Sequence, residues 1–587
     1  MEFDKNTILA FIFIAVILIF INTDFYHKHF FPTPKPTVSE ENIKKVEPAA
    51  EPSSQALEST KESVNIAESP SAFSHLIGGG DSVLVETNFY KAVFSTQGAT
   101  LRSWTLKRYL EIDKSNVQLV GENGYGNLMV LLPSRENQIE TAAYEFSVNK
   151  KEVLFYETAN RDSLVFILNL DDQREIRKTF IFYQDRYDID LRVELRNISE
   201  LVEGFSYSLI WQSGLRSTEP DLAQDMSKSQ AYAYQGSAVK FDADDKFDPS
   251  KWDNPTDWVA IRTKYFSVAV IPRNIKAQAV KFSAEKPEMA KNEFWKKYGF
   301  DLEMPFTQQN YQQDLYKVYL GPLDYEIVKS YNVKLEEIID LGWGMFRPFG
   351  KLILWCFVGL HKLVPNYGWV IVIFTVLIKL LLFPLTKKSF QSMKEMQALQ
   401  PLMQEINEKY KNDPQKKQQE IMSLYKQYGI NPFGGCVPML LQMPLLIALF
   451  QVFQSTIELR QAEFIWWIKD LSLPDTVALL PFSISIPLYG NKVNVLPLFM
   501  GVTMFIQQKM TMKDPKQKVM VYFMPIFFTL LFNGFPSGLN LYYAFFNVLS
   551  ILQDKLLPYK PKSLDELKTR TTQKRRIKHD YRGRFYK

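Results

Sequence analysis

Gly368–Leu385, GWVIVIFTVLIKLLLFPL, is long and apolar enough to cross a bilayer, yet it carries a lysine, Lys379, well inside the run. Lys379 lies eight residues before the basic pair Lys387 and Lys388, roughly 12 Å along a helix. A lysine stem does not comfortably span that distance. At mid-span a lysine costs about 2.5–3.5 kcal/mol on insertion scales unless it faces water or a partner. The expectation is therefore a helix whose Lys379 face lines a hydrated cavity, with Thr375 one turn earlier on the same face.

Working outward, 587 residues with 46% hydrophobic content make a chain long enough for a soluble domain beside a membrane domain. The apolar runs gather at the extreme N-terminus and after residue 340. The net charge of +5 is mild, but the basic residues crowd a few loops and the C-terminal tail. Cys356 and Cys436 sit in separate apolar runs, which is neither a disulfide framework nor a metal-ligand pattern. The chain shows no phosphate-cradling GxxxxGK[ST] loop, and its strand-rich part no convergent acid pair or histidine cluster; neither a cofactor nor a metal is expected.

Thr7–Ile21, TILAFIFIAVILIFI, follows the slightly acidic MEFDK and lacks the basic start of a secretory signal; residues 1–26 read as an uncleaved transmembrane anchor. Residues 27–78, rich in Pro, Glu, Ser, Lys and Ala, read as a disordered periplasmic linker, because such a composition buries too little surface to offset its ordering entropy. From 79 to 332, runs such as SVLVET, SLVFILNL, RKTFIFY and DIDLRVEL alternate between turn residues and predict an all-β sandwich. Trp211, Trp252 and Trp258 in it either line a sugar site or pack its core. Residues 333–366 carry Arg347, Lys351, His361 and Lys362, which leave only about ten uncharged residues in a row, short of the roughly 20 that a span needs. They read as a periplasmic amphipathic helix lying in the interface.

Spans are expected at about 368–385, 436–457, 495–508, 519–532 and 539–552, within a core covering 367–555. The loop after the first of these holds eight lysines, and KMTMKDPKQK and the tail 556–587 are also basic, whereas the alternate loops are poor in positive charge. The positive-inside rule puts these basic segments and both termini in the cytoplasm, and the sandwich in the periplasm. Within the loop, Met393, Met396, Met403, Ile406 and Tyr410 recur at helical spacing. Asp413-Pro414 then starts a second helix that Gly429 ends, which predicts a helical hairpin over 386–430. Its methionines either form an adaptable surface for apolar clients or zip the two helices together.

The runs NPFGGCVPMLLQMPLLIALFQVFQSTIELRQAEFIWWIKDLS, LPLFMGVTMFIQQKM and MPIFFTLLFNGFPSGLNLYYAFFNVLSILQ resemble the hallmarks of the YidC/Oxa/Alb family of membrane protein insertases. With the anchor, the linker and the segments YFSVAVIP and YLGPLD, the resemblance extends over nearly the whole chain, to the Gram-negative form with a large periplasmic domain. It implies a five-helix core with a groove open to cytoplasm and lipid, at the bacterial inner membrane. It also implies an activity without enzymatic chemistry, in which newly synthesised proteins are inserted and helped to fold, alone or beside the Sec translocon. Where the family usually has an arginine, this chain has Lys379, which keeps the charge but loses the planar five-donor fork.

The resemblance places Thr375, Lys379 and Tyr543 on the groove wall, and the polar inventory of the spans adds Gln442, Gln507 and Asn547, since lone polar groups in lipid are costly. The tail carries Lys574, Arg575, Arg576, Lys578, Arg582 and Arg584 among Tyr581, Phe585 and Tyr586, a composition suited either to ribosomal RNA or to anionic headgroups. The expected partners are nascent membrane proteins, the Sec translocon, the ribosome and the lipid bilayer, and the expected state is monomeric. The competing reading is a periplasmic carbohydrate-binding or epimerase-like sandwich with a membrane anchor, which leaves the C-terminal core unexplained.

Overall fold

The computed structural model describes residues 79–121, 126–134, 138–155, 160–243, 249–286, 296–342, 344–430, 437–480, 489–511 and 518–556, with Ser563, Leu564 and Glu566. The expected anchor and linker lie outside these residues, as do Lys574, Arg575, Arg576, Lys578, Arg582 and Arg584.

Period-two alternation builds the N-terminal half. In Glu175–Tyr183, Ile176, Lys178, Phe180 and Phe182 point inward between partly exposed neighbours. That strand lies in a nine-stranded sheet, where it pairs with Arg161–Asn169 and Asp188–Arg196. Two further sheets, of five and six strands, pack on the nine. From the five-stranded sheet, Phe94 meets Phe180 with ring centroids 4.7 Å apart. From the six-stranded sheet, the Tyr207 hydroxyl donates to Asp314 at 2.7 Å. The result is a layered sandwich whose main apolar core continues into the helices, with a small separate cluster of Met129, Ala142 and Ile210.

Trp211 and Trp258 are fully buried in that core, and their indole N–H groups donate to the carbonyls of Gly214 and Val333. Trp252 packs edge-on against Phe282. Trp211 and Trp258 therefore serve packing, and the half-buried Trp252 packs against the same core. A charged side chain is also buried there: Lys178 is fully enclosed, and its Nζ donates to the carbonyls of Gly98 at 3.1 Å, Ala99 at 2.5 Å and Leu128 at 2.7 Å. Three carbonyl dipoles replace the water that the ammonium gave up.

Two short helices belong to the sandwich, α1 (Leu222–Ser227) and α2 (Tyr325–Ser330). Helix α3 (Arg347–His361) begins with Pro348 in its first turn, buries Gly350, Ile353, Leu354 and Phe357, and exposes Phe349, Leu352 and Trp355. Both faces are apolar, one toward the core helices and one outward, where Trp355 suits a membrane interface.

Helix α4 (Tyr367–Ala398) starts where the Asn366 side chain accepts from the Trp369 N–H. By length and composition it is apolar enough to cross a membrane. It does not stop at Leu385 but continues unbroken to Ala398, so the span and the first part of the expected hairpin are one rod. A short turn leads to α5 (Gln400–Lys409) and α6 (Pro414–Tyr428). Asp413 caps α6 by accepting from the Lys416 N–H, and Gly429 ends it at φ +65°.

The remaining helices are α7 (Val437–Ser455), α8 (Val495–Thr511), α9 (Lys518–Phe532) and α10 (Ser537–Leu556). Helix α9 has 15 residues, roughly 22 Å of rise against a hydrocarbon thickness of about 30 Å. Helix α8 is capped from a distance: the Asp475 carboxylate accepts from the N–H groups of Val495 and Leu496 and from the Trp467 indole.

Sandwich and helical core meet at the segment after α7. Arg460 Nε donates to Glu219 Oε1 at 2.7 Å, with side chains only 3% and 5% exposed. Gln461 donates to the Leu110 carbonyl at 2.8 Å.

Candidate functional site

The site grows from α4 and α10, which pack against each other inside the core. On α10, Tyr543, Asn547 and Ser550 recur at intervals of three and four, and so share one face. On α4, Thr375 and Lys379 are likewise one turn apart. The structure brings these faces together around Lys379.

Lys379 is 8% exposed, and its Nζ donates to Ser550 Oγ at 2.6 Å while lying 4.3 Å from the centroid of the Phe546 ring. A hydroxyl and a π face are the partners the ammonium finds. Among the described residues no carboxylate pairs with it. Ser550 in turn donates to the Phe546 carbonyl at 2.8 Å. The cation is thus held but not neutralised, which leaves it able to attract a negative group delivered from elsewhere.

The other expected residues are placed unequally. Thr375 is fully buried and spends its hydroxyl on the Ile371 carbonyl at 2.7 Å, so it packs beneath Lys379 and is not bonded to it. Tyr543 is 8% exposed, and its hydroxyl is buried without a hydrogen-bond partner, as is that of Tyr542. Orphaned phenols inside an apolar helix bundle are costly unless something polar visits them. Asn547 donates to Thr503 at 3.5 Å, linking α10 to α8. Gln442 on α7 and Gln507 on α8 are half-buried and are not partners of Lys379.

Ser550 and Phe546 escaped the sequence reading. The signal was available, since Ser550 continues the spacing of Tyr543 and Asn547 at one further turn.

On the hairpin, Met403 is buried and accepts from the Tyr425 hydroxyl at 3.5 Å, and Met396 packs on the same cluster of Leu399, Ile421, Leu424 and Tyr428. Met403 therefore closes α5 on α6, and Met396 seats the end of α4 on the same cluster. Met393 is half-buried on the final turns of α4.

A β-sandwich domain docked on a bundle of apolar helices, with the Lys379 ammonium held inside the bundle, defines a multi-domain membrane protein. Two family models match the chain: "YidC periplasmic domain" over residues 82–356 and "60Kd inner membrane protein" over residues 359–563. The chain is 38% identical over 566 residues to a membrane protein insertase YidC of Chlorobaculum parvum, covering 94% of each. It is 35% identical over 564 residues to one of Chloroherpeton thalassium, covering 94% of this chain and 95% of the relative. A crystal structure of an active YidC insertase with its first transmembrane domain resolved aligns over 83% of this chain and 94% of that one, at 18% identity and a TM-score of 0.35. A galactose mutarotase related enzyme from Lactobacillus acidophilus aligns over 41% of this chain and 97% of that one, at 11% identity and a TM-score of 0.27.

The chain belongs to the YidC family of membrane protein insertases. It is accordingly an inner-membrane protein with a periplasmic β-sandwich, and not an enzyme. The sandwich-only reading fails because the relationship runs through the helical core as well.

Proposed function

We propose that this chain inserts newly made proteins into the inner membrane by lowering the cost of moving a polar tail past hydrocarbon, with Lys379 as the attracting group. The observation that carries this is a buried ammonium with a serine and a phenyl ring for company and no carboxylate among the described residues. An acidic client tail supplies the missing counter-charge, and the orphaned hydroxyls of Tyr542 and Tyr543 offer it donors as it passes. Thr375, Gln442, Gln507 and Asn547 complete the polar surroundings of that path. The client's hydrophobic segment then leaves sideways into lipid, a step worth roughly 25 cal/mol per Å² of apolar surface removed from water. The short α9 helps by thinning the bilayer nearby.

The topology that goes with this reading has five core spans, both termini in the cytoplasm and the hairpin on the cytoplasmic side. The hairpin's outer surface, including Met393, and the basic tail meet the ribosome or anionic lipid, and the protein works as a monomer, alone or beside the Sec translocon. The positive-inside distribution supports the orientation.

Charge reversal tests the central step. In liposomes containing the purified protein, Lys379→Glu should block insertion of a single-span client with an acidic tail, and Lys379→Arg should preserve it. Equal insertion by the two variants removes Lys379 from the mechanism.

A further inference from the structure

Helices α8 and α9 border an open apolar slot of about 530 Å³, whose lining residues do not include Lys379. Its walls include Leu498 and Val502 of α8 and Ile526 of α9, all strongly exposed at their outer edges. Gly501 forms the floor: a Cβ there would lie 2.0 Å from Thr529 Oγ1, so any larger residue requires the Thr529 side chain to move. The one hydroxyl in the floor is already used, because Thr529 donates to the Pro525 carbonyl at 2.8 Å. Apart from the hydroxyls of Tyr489 and Tyr522 among its lining residues, the slot offers a ligand apolar contact.

One end of the cavity carries charge. Phe505 and Tyr522, with ring centroids 5.5 Å apart, form a lip there, and Lys509 holds its ammonium 5.8 Å from the Phe505 centroid. Lys509 is exposed, so its charge faces the surroundings at the mouth of an apolar slot. Apolar slot and basic lip together match one amphiphile, an acyl chain with an anionic headgroup. On the topology proposed above, that lip faces the cytoplasmic leaflet.

We propose that the α8–α9 cavity is a binding site for a single acyl chain of an anionic phospholipid, with the headgroup phosphate at Lys509. The bound chain fills the side of the core beside the short helix α9, where a bilayer thinned by mismatch would otherwise meet a void. The assignment goes beyond insertion itself and does not depend on the role of Lys379.

The full chain in nanodiscs tests this with two photoactivatable probes that carry the same diazirine-bearing chain, one a phosphatidylglycerol and one a phosphatidylcholine. Phosphatidylglycerol should label Leu498, Val502 and Ile526 about fivefold more than phosphatidylcholine, whose choline cancels the phosphate charge; that is the preference expected for one lysine beside a headgroup of net negative charge. Lys509→Gln should reduce it to the phosphatidylcholine level, and Val502→Trp, which fills the slot from its exposed wall, should remove labelling by both probes at this face while labelling at Leu377 and Leu381 of α4 persists. Equal labelling by the two probes in the parent protein overturns the assignment, as does a phosphatidylglycerol preference that survives Lys509→Gln. Labelling that is unchanged by Val502→Trp shows ordinary annular lipid and overturns it too. Because no arm measures insertion, each of these results leaves the proposal for Lys379 standing or falling by itself.

Discussion

Arg460, in the segment after α7, and Glu219, in the sandwich, lie 241 residues apart in sequence and form an ion pair at 2.7 Å that is nearly closed to solvent. Glu219 also accepts from Thr218 at 3.1 Å, and the Arg460 guanidinium lies 5.5 Å from the Phe266 centroid. The pair joins the periplasmic domain to the helical core at a defined point. Removing one partner strands the other charge, so Arg460→Ala should destabilise the joint by about 3–5 kcal/mol. Arg460→Leu combined with Glu219→Leu should recover most of that loss. A double-mutant cycle on thermal unfolding checks both, and a near-zero coupling energy would rule out the pair as the fastening.

Close to that pair sits an acid that prefers to be neutral. Burial pushes the Glu458 carboxyl up to about 8, and the nearby Asp324 and Glu326 push the same way. Its Oε2 is buried without a hydrogen-bond partner. Between pH 4.5 and about 8 the folded joint keeps a proton that the unfolded chain releases. Stability from this group is therefore full below pH 4.5, falls as pH rises through that window, and levels off above it. Glu458→Gln should flatten the slope and leave the joint firmer at pH 8. Hydrogen exchange of residues 457–460 between pH 5 and 9 reads this directly, and parallel profiles for the two proteins would contradict it.

Lys178 holds three carbonyls from two connecting segments, Gly98-Ala99 and Leu128, with one ammonium. Lys178→Met keeps the apolar stem but leaves three buried acceptors empty, each costing about 1–3 kcal/mol. The sandwich should lose at least about 3 kcal/mol, visible as an earlier urea transition followed by fluorescence of its buried tryptophans. A midpoint within error of the parent's would show that those carbonyls find other donors.

Gly501 and Thr529 should behave as a lock. Gly501→Ala places a methyl 2.0 Å from the Thr529 hydroxyl and should cost about 1–3 kcal/mol through overpacking. Adding Thr529→Ala removes the opposing atom and should restore part of the loss. Thermal melts in detergent decide the matter, and additive losses in the double variant would place the strain elsewhere.

Several features were legible before any coordinates because they are local. Strand alternation such as that of Glu175–Tyr183, the Asp413-Pro414 start and Gly429 stop of α6, and the apolar run that became α4 depend on neighbours a few residues away. The ambiguity of the tryptophans and of Met403 could not be resolved that way, because a core contact and an exposed site look alike along the chain. Only the packed sheets put Trp211 and Trp258 inside, and only the pairing of α5 with α6 put Met403 against Tyr425.

What the order of residues determined by itself was the class of the protein: a periodic β half, an apolar helical half, and a lysine placed where a lone helix could not tolerate it. Partnership was decided in three dimensions. Ser550 is 171 residues from Lys379, and Glu219 is farther still from Arg460, so no spacing rule connects them. Hydrophobic periodicity reports which face of an element is buried, whereas the identity of the opposing face depends on how the elements pack, and only folding settles that.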